Sequence, residues 1–86
     1  IILWVSGTSA KFQAEQLIQR MEVSIAEGRS PFTPNGVRVF DGHAVYDLTG
    51  LGHRHFYFQS GDLVIWLAAD EGIADRALKE TLQFYS

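Results

Sequence analysis

The stretch His53-Arg54-His55-Phe56-Tyr57-Phe58-Gln59-Ser60-Gly61-Asp62-Leu63-Val64-Ile65-Trp66-Leu67-Ala68-Ala69-Asp70 decides the fold. Two runs of aromatic and β-branched residues flank Ser60-Gly61. Strand formers on both sides of such a turn read as a β-hairpin. Toward the N-terminus, Thr49-Gly50-Leu51-Gly52 marks a second turn and Asp41-Gly42-His43 a third. Asp-Gly suits the positive φ angles of a type I′ turn. Residues 37–40, 44–48, 53–59 and 63–68 therefore read as a four-stranded antiparallel meander.

Further out, Ile1-Ile2-Leu3-Trp4-Val5 is an apolar run that reads as a buried strand. Thr8 or Ser9 is placed to cap a following helix. Ala14, Leu17, Ile18, Met21 and Ile25 recur at helical spacing, and Gly28 suits the end of that helix. Residues 29–36, with Pro31 and Pro34, read as a loop in which Phe32 is an anchor onto the core. Asp70 is a suitable N-cap for a second helix, whose inner stripe is Ala74, Ala77, Leu78, Thr81, Leu82 and Tyr85. The element order is β-α-β-β-β-β-α. It defines an α+β class, an antiparallel sheet with two helices on one face, as in the TBP-like (TATA-binding-protein-like) topology. A ferredoxin-like βαββαβ plan is the alternative.

Side chains alternate faces along a strand. The turns then set Phe56, Phe58, Leu63, Ile65 and Leu67 on the face beneath the helices. Tyr46, Leu48, His53, His55, Tyr57, Val64, Trp66 and Ala68 gather on the other, joined by Val37 and Val39. With both helices on one side, this second face is open, and a mixed aromatic surface of that size marks an interface. Tyr46, His53, His55, Tyr57, Val64 and Trp66 are the candidate interface or ligand-binding residues.

Composition narrows the partners. Eighty-six residues suffice for one domain with one core. Ten acidic and seven basic residues give a net charge of −3, and the basic residues are scattered, which argues against nucleic acid or an anionic membrane surface. No apolar run is long enough to span a bilayer. Without cysteine there is no disulfide framework and no thiolate metal site. A chain that opens inside an apolar run without Met is expected to be a processed or excised segment. Nothing in it specifies a compartment.

The constellations that carry chemistry are thin. His53 and His55 project to one side of a strand and are the candidate metal ligands, but no carboxylate or thiol completes a site on their face. Arg54 between them is expected to pair with Asp47 across the strands. Ser6-Gly7-Thr8-Ser9-Ala10-Lys11 lacks the spacing of a phosphate-binding loop, and helix capping accounts for it. No Ser sits at a strained nucleophile elbow. Phe56-Tyr57-Phe58 lacks the basic residues that accompany base-stacking aromatics. The expectation is a non-catalytic interaction or ligand-binding domain that needs no cofactor and is joined to a second copy or a neighbouring domain through its aromatic face. A small enzyme or metal-binding domain using His53, His55 and Tyr57 is the alternative.

Overall fold

A computed structural model describes residues 1–28, 30–40 and 42–85. Its centre is the expected hairpin, β4 (His53–Ser60) against β5 (Leu63–Ala69), turning at Gly61 with φ +59°. The full set is β1 (Ile2–Gly7), α1 (Lys11–Ala26), β2 (Thr33–Phe40), β3 (His43–Gly50), β4, β5, a 3-10 turn at Glu71–Ile73 and α2 (Ala74–Tyr85). The five strands form one antiparallel sheet in the order β1-β5-β4-β3-β2, so the chain has the expected α+β class and element order.

The helices lie on opposite faces of the sheet, contrary to the expectation of both on one. Ala14, Ile18 and Ile25 of α1 pack with Leu48, Tyr57 and Val64. Ala74, Ala77, Leu78 and Leu82 of α2 pack with Phe56, Phe58, Ile65 and Leu67, the alternate residues of the same strands. The reason lies in the connection. β1 and β2 are the two edges of the sheet, so the segment joining them must cross its whole width. Five strands at ~4.8 Å spacing span roughly 19 Å, and a helix the length of α1 is about 24 Å long. α1 therefore spans one whole face of the sheet, and α2 takes the other, where Phe56, Phe58, Ile65 and Leu67 form its apolar seat. This departs from the TBP-like layout, and a fifth strand departs from the ferredoxin-like one.

Both turns around β4 are displaced from their expected positions. Gly50 pairs with His53 and Ser60 with Leu63, so the two-residue turns are Leu51-Gly52 and Gly61-Asp62. Each displacement leaves the summed pairing register even-shifted, and every side chain keeps its expected face. Pro34, Asn35 and Gly36 belong to β2 instead of a loop. β2 is an edge strand, where a missing N–H is tolerated, and a bulge at Asn35 absorbs the irregularity between Pro34 and Gly36. Arg29, and Asp41 of the Asp-Gly turn, lie outside the described residues; Gly42 has φ +83°.

The helix ends also differ in detail. Ala10 is the N-cap of α1 and gives no side-chain bond; the Gln13 side chain instead accepts from the Ser9 N–H at 3.1 Å. The Thr8 hydroxyl donates to Asp62 O at 2.7 Å, tying the start of α1 to the β4–β5 turn. Gly28, with φ +76°, follows the C-cap as expected.

Candidate interaction surface

Register places Val37, Tyr46, Tyr57, Trp66 and Trp4 in one row across all five strands. Tyr46 and Tyr57 stack at 4.6 Å and 5°, Tyr57 and Trp66 at 5.4 Å and 9°. Five of the six candidate residues belong to this row or adjoin it, but the face they share is not open. α1 covers it, burying Tyr57, Val64 and His55 and half-burying Tyr46 and Trp66. Phe32 closes the end of the face, edge-on to His55 at 4.7 Å and tilted against Trp66 at 5.2 Å. Burial under α1 pushes the Tyr57 phenol well above its ordinary range, with Tyr46 and Glu22 adding to the effect. The Tyr46 phenol rises for the same first reason, then through the charge of Glu22 and a hydrogen bond to it.

The two candidate histidines serve different local bonds. His55 Nε2–H donates to Gly50 O at 3.0 Å, which leaves Nδ1 bare to accept from Trp66 Nε1–H at 3.1 Å. His53 is exposed, its Nδ1 3.0 Å from Leu51 O and its Nε2 3.2 Å from the Asp70 carboxylate. Their ring centroids are 6.5 Å apart, and all four nitrogens face hydrogen-bond partners within the chain. Among the described residues, no three His, Cys, Asp or Glu side chains come together in a metal-binding group.

On the α2 face, Arg54 meets Asp47 as expected, in a two-pronged contact of 3.1 Å from Nε and 2.5 Å from a terminal nitrogen. The pairing is far less exposed than a cross-strand surface pair. Asp47 is 3% accessible and also receives Arg38 at 3.1 Å, while Arg54 reaches on to Glu71 at 3.1 Å. The Asp47 hydrogen bond holds the Arg54 guanidinium above its ordinary pKa, against the opposing effect of burial. These groups line a cleft of about 370 Å³ with Asn35 and Thr49. Among the lining residues the two guanidiniums are matched by the carboxylates of Asp47 and Glu71, and Arg38 also reaches Asp75 outside the cleft.

The surface that sequence reading missed is β1. It was expected to be buried, yet Ile2 is 53% accessible, Leu3 43%, Trp4 51% and Val5 42%. Among the described residues β1 pairs only with β5, and none of its side chains belongs to either buried cluster. Apolar residues at consecutive positions face both sides of a strand, and that pattern signals a central strand. The signal available in the sequence was the same pattern, since no charge, proline or bulge marks β1 as an edge. None of the described helices is long and apolar enough to cross a membrane. No protein-family model, curated protein or solved structure matches the chain.

Proposed function

We propose that the chain is a non-catalytic interaction domain that recruits an extended strand to its β1 edge. The observation that carries this reading is the exposure of Ile2, Leu3, Trp4 and Val5 on an unpaired strand edge. Main-chain groups along such an edge supply affinity, and alternate side chains on the two faces supply contact area. The opposite edge supports the reading by contrast. β2 carries Pro34, a bulge at Asn35 and the exposed Arg38, devices that block strand addition. β1 carries none of them. The aromatic row belongs to the packing of α1, so the surface proposed here is the edge and not the face.

A titration tests this. The isotope-labelled chain is mixed with a Lys-flanked extended peptide bearing Leu-Trp-Val-Ser. Amide shifts and slowed exchange concentrated on β1, absent in Val5→Pro, are the expected result. Perturbations centred on the Arg38–Asp47–Arg54 cleft, or unchanged β1 amides in a monomeric chain, overturn the reading.

A further inference from the structure

Which backbone groups β1 offers follows from its pairing with β5. The Thr8 N–H donates to Asp62 O at 2.9 Å, continuing the ladder in which Gly7 lies opposite Leu63. Hydrogen-bonded positions alternate in an antiparallel pair, so Ile2, Trp4 and Ser6 also direct their backbone groups at β5. The N–H and C=O groups of Leu3, Val5 and Gly7 point outward from the sheet.

Resting on the strand-edge reading, we infer that the strand recruited is β1 of a second copy, antiparallel across a two-fold axis, with Leu3 opposite Val5 of the second copy and Trp4 opposite its own counterpart. This register matches outward groups with outward groups over residues 2–6 of β1 and sets Leu3 against Val5, where a register centred on Val5 would set Leu3 against Gly7. It sets Ile2 against Ser6 on the face of α1 and Leu3 against Val5 on the face of α2. A two-fold interface must be self-complementary, and here each apolar residue meets an apolar or small one. Charge favours a second copy as well. Each chain carries a net charge of −3, but residues 1–9 contain no charged side chain, so the pairing brings no like charges together. The half-exposed side chains of residues 1–5 run along the whole edge, so apolar contact between neighbouring side chains adds to the main-chain bonds of the pairing. Trp4 then extends the row Tyr46–Tyr57–Trp66 through the axis into the row of the second copy.

The absence of cysteine makes the register directly testable. Directly opposed residues at a non-hydrogen-bonded position have Cα atoms about 4.5 Å apart, within the ~4.4–6.8 Å range of a disulfide. Trp4→Cys is expected to give a disulfide-linked dimer on mild oxidation, at least tenfold faster than Ser6→Cys, whose residue lies opposite Ile2. Adding Val5→Pro removes an outward N–H and abolishes the link, with circular dichroism unchanged. In the unmodified chain, light scattering over a concentration series shows a dimer, and exchange at Leu3, Val5 and Gly7 slows as it forms. Faster linking through Ser6→Cys overturns the register. A monomer throughout the series overturns the second copy; if that monomer still binds the strand peptide, the edge reading stands with a different occupant. If it binds neither, both fall.

Discussion

Replacing Asp47 by Asn tests the account of the α2 face most sharply. The carboxylate is 3% accessible and accepts from Arg54 at 3.1 and 2.5 Å and from Arg38 at 3.1 Å. An amide leaves one oxygen to accept and turns two N–H donors toward guanidinium groups. The Arg54 side chain, 13% accessible, then keeps Glu71 at 3.1 Å as its one charged partner among the described residues, and that carboxylate is largely in water. Removing one partner of a buried pair costs about 3–5 kcal/mol, and the surviving Glu71 contact puts the loss near the lower end, ~3 kcal/mol. At about 4–8 °C per kcal/mol for a chain of this length, Asp47→Asn should lower Tm by roughly 12–24 °C. Urea unfolding followed by circular dichroism should show the midpoint falling at constant m. Asp75→Asn is the control: its contact with Arg38 is 3.5 Å and exposed, and it should stay within ~0.5 kcal/mol. A loss below ~1 kcal/mol for Asp47→Asn would refute the claim that this pair is buried in any energetic sense. Combining Asp47→Leu with Arg54→Met should recover much of the loss, because it also removes the desolvation cost of both charges.

Three further outcomes follow from the aromatic face. A Cβ at Gly50 would lie 2.8 Å from the Phe32 ring and from Pro31 O, so Gly50→Ala should lift the Phe32 segment at a cost of about 1–3 kcal/mol; in a Trp4→Phe background, Trp66 emission should shift to the red, and an unchanged spectrum counts against it. His55→Leu leaves Gly50 O and the Trp66 N–H without their bonds, costing about 1–3 kcal/mol for each group left unsatisfied, readable by urea melts. Tyr57 and Tyr46 have phenol pKa values raised by burial, so the unfolded chain loses these protons first on the alkaline side. Their contribution to stability is complete below pH ~10 and is lost above it at up to ~1.4 kcal/mol per pH unit and group, whereas a flat profile from pH 9 to 11.5 would contradict the burial.

How far the sequence could be read depended on what kind of physics set each feature. Face assignment survived two misplaced turns because both displacements moved the pairing by an even number of residues. Ser60 pairing with Leu63 still puts Phe58 beside Ile65, and Leu48 opposite His55 still puts Tyr46 beside Tyr57. These are local properties of alternation and turn length. The helix placement is not local. α1 must cross the sheet because β1 and β2 occupy opposite edges, but nothing within Lys11–Ala26 specifies that crossing or the face it takes. That one unknown converted a surface expected to be open into the seat of α1. Pro34 misled for a related reason: a proline argues against a central strand, but an edge strand with a bulge accommodates it. The Asp47–Arg54 pair was legible as a pairing, and its burial was not, because burial depends on α2 arriving above the sheet.

The error on β1 differs in kind from the others. Ile-Ile-Leu-Trp-Val reads as a central strand because consecutive apolar residues suit a strand flanked by neighbours and covered on both faces. Within one copy the strand has a neighbour only on the β5 side, and α1 departs from its end toward the far edge. Pairing two copies through β1 resolves the conflict without changing either copy. The strand then has neighbours on both sides, the outward groups of Leu3, Val5 and Gly7 are satisfied, and two five-stranded sheets become continuous. The central-strand reading of residues 1–5 is in that case correct for the assembly and wrong only for the isolated chain. The contrast with β2 sharpens the point: one edge carries a proline, a bulge and an arginine against strand addition, and the other carries an uncharged apolar run. An edge meant to stay in water would be expected to resemble β2, and β1 does not.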